Sequence, residues 1–375
     1  MIKCKEEFHT EMNWKRELED NVTTAKELQD YFHWNLPKDD EKKLKEIIKR
    51  YPMSVSKYYL SLINPHIEND EIKKLCIPSI EETDLSGSFD TSGEKNNTVV
   101  VGLQHKYKQT ALILSTNKCA AYCRHCFRKR LVGVNDEEIN KHFGDIITYI
   151  KEHKEINNVL ITGGDAFVNS NRIIEDYLKE LNEIEHIKLI RFGTRVPVVL
   201  PTRIYNDKEL LNILEMYSKK KTIYVVTQFN HPREITEESK RAVNCLTNLG
   251  ITVKNQTVLL KGVNNNPVTM AKLINKIIEI GVIPYYIFQC RPVVGVKNQF
   301  QVPLKEGYRI ITETRKLLSG QGKCFRYVLS NEKGKIEVIG DLNKDNLIFK
   351  YHQAKSDEDE EKVFTLDIDD NQCWI

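Results

Sequence analysis

No apolar run in this 375-residue chain approaches the roughly 18–20 residues of a membrane span. The first residues are polar and helix-prone, without the apolar stretch of a secretory signal. Strong net charge is also missing. The balance is +3 with 29% charged residues, so neither nucleic acid nor a membrane surface is an expected partner. The one long like-charge run, Asp357 to Glu361, reads as a solvated tail. Paired cysteines are absent too: the nine cysteines are odd in number and mostly scattered. Without a secretory signal, a disulfide framework is not expected and a reducing cytoplasm is. Cys4, Cys76, Cys245, Cys290, Cys324 and Cys373 read as buried or incidental thiols.

Against that background three cysteines stand out. Cys119, Cys123 and Cys126 form C-x3-C-x2-C in TNKCAAYCRHCFRKR, so three of the nine fall within eight residues. A four-iron cubane held by three cysteines keeps one iron without a protein ligand. That iron can take a substrate or cofactor, as open catalytic zinc sites do. The alternatives are a structural zinc site and unrelated core cysteines. Zinc would need a further ligand pair, and no second C-x2-C or H-x3-H occurs.

Residues 1 to about 75 read as helices, with Leu44, Ile47 and Ile48 at helical spacing. Residues 76–105 read as an irregular wrapping linker with a short strand at Thr98–Gly102. From residue 111, apolar strands alternate with amphipathic helices. The strands are Ala111–Ser115, Asn158–Thr162, Ile187–Phe192, Thr222–Thr227, Ile251–Lys254 and Ile283–Phe288. Helices are expected over 136–152, 171–184, 237–249 and 268–280. Six β–α units predict an α/β fold, a partial (β/α)6 barrel with chemistry at the strands' C-terminal ends. Polar residues collect there: Cys119 onward, Gly163-Gly164-Asp165, Arg195, Gln228 and Asn255-Gln256. Phe325–Ser330 and Lys335–Gly340 read as a hairpin, and Leu347–Tyr351 as a third strand. The expected organisation is a helical extension and linker (1–105), a barrel (106–300) and a β-rich cap with an acidic tail (301–375).

The cysteine loop, the Gly-Gly-Asp and the segments YCRHCFRKR, LITGGDAF, RFGTRVPVVLPTRI, QFNHPREITEES, KNQTVLLKGVNNN and PYYIFQC resemble the lysine 2,3-aminomutase family of radical S-adenosylmethionine enzymes. The likeness runs from about residue 30 to about residue 340. It implies a [4Fe-4S] cluster on Cys119, Cys123 and Cys126, with S-adenosylmethionine on the open iron. Reductive cleavage then yields a 5′-deoxyadenosyl radical that abstracts a substrate hydrogen. By the same resemblance Gly163, Gly164 and Asp165 face the cofactor's aminoacyl end, and Arg195, Asn255 and Gln256 match cofactor-facing positions. Taken by itself, Gly-Gly-Asp is also an ordinary strand-to-helix turn. Arg128 matches an arginine that holds the substrate's α-carboxylate; it could equally balance an anionic cluster. The resemblance also implies an amino-acid substrate and an electron donor such as flavodoxin or ferredoxin, and it is compatible with a homo-oligomer.

Three departures qualify it. The family's pyridoxal phosphate lysine ends a glycine-rich segment, whereas Lys335 here follows Asn331-Glu-Lys-Gly, and Thr110 stands where an arginine is usual. Lys335 is the residue matched to the Schiff-base role, with pyridoxal 5′-phosphate as the cofactor in question. The two aspartates that hold a lysine substrate's distal ammonium are matched by Arg291 and Ser330. A cation there repels lysine and suits an acidic group. Only Cys373 lies near the C-terminus, so no interface zinc is expected. The reading is a radical 1,2-amino shift on a non-lysine amino acid. The alternatives are a radical enzyme without pyridoxal phosphate, acting on another small molecule or on a peptide or protein, and a non-catalytic iron–sulfur carrier.

Overall fold

The computed structural model describes residues 14–343 and 346–375; Cys4 and the first residues lie outside them. Alternation along the strands decides the architecture. On one face Ile113, Val159, Ile161, Ile190, Phe192, Ile223, Val225 and Val253 are buried beneath the helices. On the other, Leu112, Leu160, Arg191, Tyr224, Lys254, Gln256 and Phe288 are only half-buried, so they line a hollow. Twelve strands form one sheet in sequence order. They are β1 Thr98–Val100, β2 Leu103–Tyr107, β3 Thr110–Thr116, β4 Asn158–Gly163, β5 Leu189–Gly193, β6 Thr222–Thr227, β7 Thr252–Leu259, β8 Ile283–Gln289, β9 Arg326–Ser330, β10 Gly334–Asn343, β11 Asn346–Ala354 and β12 Val363–Asp367. Pairing is parallel from β3 to β9 and antiparallel at both flanks. This is a partial α/β barrel with antiparallel wings.

Several elements differ from the sequence reading. The expected hairpin is not separate from the barrel: its first strand, β9, pairs parallel with β8 and adds a seventh strand. Helix Leu304–Lys316, not anticipated, makes that crossover with Leu304, Ile310 and Ile311 against the core. Helix Lys208–Ser218 was also missed; Asp207 caps it by accepting from the Leu210 amide at 2.9 Å. The helix expected over 136–152 starts only at Phe143. Turns take residues 136–142 because the Asn140 amide donates to the Leu114 carbonyl (2.9 Å) and draws Ile139 against Leu114 and Leu131. The acidic run is no tail but the turn between β11 and β12, where the Glu360 carboxylate accepts from the Ala354 amide at 2.6 Å. Among the described residues no helix is long and apolar enough to cross a membrane.

The N-terminal region wraps the back of the cysteine loop. Leu75 and Ser54 carbonyls accept from the amides of Arg124 (2.9 Å) and Tyr122 (2.8 Å). Asn21 donates to the Ala120 carbonyl at 2.8 Å. Glu82, fully buried, takes the Arg124 Nε at 2.9 Å and the Lys129 Nζ at 2.6 Å. Burial pushes the Glu82 carboxyl up, but Arg124 and Lys129 overcome it and hold it below the ordinary value. Removing one partner of such a cage strands the other charges. Glu82→Ala is therefore expected to cost about 3–5 kcal/mol, read as a lower midpoint in urea unfolding. A change within experimental error would show the wrap to be held by packing alone.

Candidate active site

The cysteine loop has almost no regular structure, and the end of β4 shapes it. The Gly164 amide donates to the Thr116 carbonyl (2.5 Å) and the Asp165 amide to the Lys118 carbonyl (2.8 Å). A Cβ on Gly163, whose φ is +115°, would run into the Thr116 carbonyl, and one on Gly164 into that of Lys118. In this structure, then, the glycines serve the approach of the cysteine loop itself.

Among the described residues no three His, Cys, Asp or Glu side chains converge as a single metal ion requires. The cysteines are nevertheless mutually coupled. Burial first, then Asp165 and the other two cysteines, pushes the Cys119 thiol well up; burial and Cys123 push Cys126 to about 11. An iron–sulfur cube sits between its ligands and spaces them more widely than one ion does. Raised in this way, the thiols of Cys119 and Cys126 hold their protons until metal replaces them. Cys76 is also near Cys123, but its thiol donates to the Ile72 carbonyl at 3.3 Å within a helix. The donor set therefore fits a three-cysteine cluster.

The other expected positions divide into two groups. Asp165 is committed to the protein: it accepts from Thr194 Oγ1 (2.5 Å), the Arg195 amide (2.6 Å) and the Phe167 amide (3.0 Å). Asn255 is likewise engaged, with the Phe229 amide at 2.7 Å, the Phe229 carbonyl at 3.2 Å and Thr257 Oγ1 at 2.8 Å. Arg195 turns toward Cys123 Sγ, 2.9 Å from its Nη1. Gln256, one residue on from Asn255, faces the hollow, and its side chain makes no hydrogen bond among the described residues.

At the far end of the hollow Phe127 lies between two guanidiniums, Arg128 at 4.7 Å and Arg291 at 4.3 Å from its ring centre. Glu94, missed in the sequence, accepts from Arg128 Nε at 2.9 Å and reaches Arg130 Nη2 at 2.9 Å. Burial would raise its carboxyl; Arg128, Arg130 and Arg291 hold it below the ordinary value instead. Arg291 Nη1 is buried without a hydrogen-bond partner. Lys335, the second residue of β10, lies opposite Ser330, its Nζ 4.4 Å from the Tyr286 ring centre and 3.0 Å from Gln353 Oε1. Burial, then Arg191, Lys106 and Arg291, pulls this lysine down to about 7. Ser330 is buried beside Tyr107. Residues 84–97 form a strap over this end. The Ser88 amide donates to the Pro292 carbonyl (2.9 Å), and Asn96 reaches Glu332 Oε1 (3.0 Å).

Residues 113–274 match the radical SAM superfamily. A putative L-lysine 2,3-aminomutase of Aquifex aeolicus is 38% identical, over 91% of each chain. The L-lysine 2,3-aminomutase of Clostridium subterminale is 38% identical, over 82% of this chain and 73% of that protein. The glutamate 2,3-aminomutase of Clostridioides difficile is 38% identical, over 86% of this chain and 75% of that protein. The chain belongs to the lysine 2,3-aminomutase family. It is therefore a radical S-adenosylmethionine enzyme, an aminomutase-like isomerase, and the family implies a [4Fe-4S] cluster and S-adenosylmethionine. In a member of the lysine 2,3-aminomutase family the fit between β4 and the cysteine loop is open to a direct check. Gly164→Ala is expected to push residues 116–118 aside and to lose most of the brown absorbance near 400 nm after anaerobic reconstitution, the region of iron–sulfur charge transfer (order of magnitude from the cluster's chemistry). Full iron content in that variant would show that the loop tolerates the added methyl group.

Proposed function

We propose that this enzyme catalyses a 2,3-amino shift on an α-amino acid whose side chain ends in an anionic group. The observation that carries the reading is Arg291 Nη1, buried without a partner in a hollow that also holds Arg128, Lys106, Arg191 and Lys335. Of the carboxylates that act on Arg291, Glu94 is already paired with Arg128 and Arg130, and Asp90 accepts from the amides of Ser92, Glu94 and Lys95. An unpaired buried guanidinium costs free energy that an incoming carboxylate removes. A substrate ammonium at that place would meet like charge instead.

When bound, the cluster with S-adenosylmethionine supplies the radical that removes a substrate hydrogen, and pyridoxal phosphate supplies the carbonyl that carries the migrating amino group. The residues present suit that third cofactor despite the missing glycine-rich loop. Lys335 offers an amine largely unprotonated just above neutrality, held by Gln353 against the ring of Tyr286. Arg191 Nε, buried without a partner, and Lys106 supply positive charge for a phosphate. Arg128 would take the α-carboxylate on the edge of its guanidinium that Glu94 leaves free, with Glu94 fixing the plane of the fork. Arg291 and Ser330 would receive the distal group. The strap keeps water from this end. Electrons would come from an external donor such as flavodoxin or ferredoxin.

Two measurements test this reading. Borohydride added after incubation with pyridoxal phosphate should fix the cofactor on Lys335, as found by peptide mass spectrometry. The nucleophile is the neutral amine, so the yield should climb as pH rises through about 7 rather than near the ordinary lysine value. No adduct on Lys335 at any pH would remove pyridoxal phosphate from the proposal. Separately, β-amino acid formation from L-glutamate should exceed that from L-lysine. Arg291→Glu should lower turnover of the acidic substrate by about 30-fold or more, the equivalent of losing 2–5 kcal/mol at a buried charge pair. Faster turnover of L-lysine by the unaltered enzyme would sink the assignment of Arg291.

A further inference from the structure

Arg195 follows β5 and is buried behind the cysteine loop. Each of its nitrogens is placed. Nε donates to the Gln228 carbonyl at 3.1 Å, Nη2 to the Tyr59 hydroxyl at 2.7 Å and to Glu234 Oε1, and Nη1 to Cys123 Sγ at 2.9 Å. Glu234 is fully buried and hydrogen-bonded through both oxygens. It accepts from the Tyr59 hydroxyl at 2.6 Å and from the amides of Asn230 (2.5 Å) and His231 (2.9 Å). The loop's other buried cations are engaged elsewhere, Arg124 and Lys129 by Glu82 and Arg128 by Glu94. Among the described residues, Cys123 is thus the one sulfur of the three with a charged donor at hydrogen-bond distance, while Cys119 lies toward Asp165. Arg128 and Lys129 act on Cys126 through space, so the direct hydrogen bond from a cation falls on Cys123 alone among the described residues.

We propose that Arg195 sets the reduction potential of the iron–sulfur cluster through the hydrogen bond it donates to Cys123 Sγ, with Glu234 opposing it. Hydrogen bonds to the sulfurs and the charge around them are the protein's main means of tuning a cluster. Reduction places one more negative charge on the cluster. A guanidinium on a ligand sulfur stabilises that charge and raises the potential. Glu234 acts against this, but it sits on Nη2, beyond the nitrogen that meets the sulfur. Since the interaction falls with distance, the cation dominates and the carboxylate moderates. Arg195 is in this account a positioning and tuning residue rather than a contact of S-adenosylmethionine.

The test uses the anaerobically reconstituted full chain, with iron and sulfide content measured first and the reduced cluster followed by electron paramagnetic resonance in a mediated dithionite titration. Arg195→Gln is expected to move the midpoint to more negative potential, by about 59 mV for each tenfold loss of reduced over oxidised cluster. Arg195→Lys should shift it less in the same direction, and Glu234→Gln should shift it in the opposite direction. A role confined to packing would not produce shifts of opposite sign. Intact clusters with unchanged midpoints, or midpoints that move the same way in Arg195→Gln and Glu234→Gln, overturn the proposal. If the Arg195 variants assemble no cluster, Glu234→Gln decides. A less negative midpoint supports the proposal, and an unchanged or more negative one, or loss of the cluster there too, refutes it.

Discussion

The approach of the β4 backbone to residues 116–118 is the constraint on which the rest depends. Thr116 and Lys118 offer their carbonyls to the amides of Gly164 and Asp165, and only glycine at positions 163 and 164 allows that approach. From this fixed start the three cysteines leave on one short excursion. Everything else that touches the loop then acts from outside: the helical wrap behind it, Arg195 beside it, and Arg128 where it turns toward the hollow. A parallel strand pair thus does for this loop what a disulfide or a helix would do elsewhere. It fixes the start of the loop, and the Gly133 amide closes the other end on the Asn117 carbonyl at 2.9 Å.

Three buried carboxylates divide the charge of the molecule into separate districts. Glu82 answers Arg124 and Lys129 at the back of the loop, Glu234 answers Arg195 at its side, and Glu94 answers Arg128 and Arg130 at its front. Each cage consumes cations that would otherwise crowd the cysteines indiscriminately. Arg130 is answered through its Nη2 by Glu94 and Glu138, whereas Arg291 makes no ion pair among the described residues and its Nη1 is buried without a partner. A net charge of only +3 conceals this arrangement, because the positive residues of the hollow are balanced by acidic residues spread over the outer surface.

The barrel strands were legible because their outward face is mostly apolar and their spacing regular; all six expected strands begin within two residues of their observed starts, and β7 runs longer than expected. The cysteine triplet was legible as a spacing. Glu82, Glu94 and Glu234 were not, since single acidic residues in irregular segments carry no periodicity and find their arginines only through the fold. The segment 84–97 read as a linker for the same reason: its role lies in contacts with residues 292 and 332, invisible in local sequence. Asp165 and Asn255 show the converse. Asp165 does follow the end of β4, whereas β7 runs on to Leu259 and encloses Asn255; both side chains are turned to neighbouring protein groups rather than to the hollow. The seventh parallel strand escaped because β9 and β10 are separated by a tight turn, which is also how an isolated hairpin looks.

The strap has a consequence for the order in which the molecule can be completed. The shell around the cysteines is drawn from the segments around residues 21–82, 116–133, 163–165, 195 and 234, all made well before the last third of the chain. The roof over the other end needs residues 84–97 to meet partners at 292 and 332, and Lys335 needs Gln353. Contacts of such wide sequence separation form late. During synthesis from the N-terminus, the metal-binding half is therefore complete in sequence while the chamber beside it still lacks its far wall. A cluster could be delivered through that open side, before the strap and the final strands close the route.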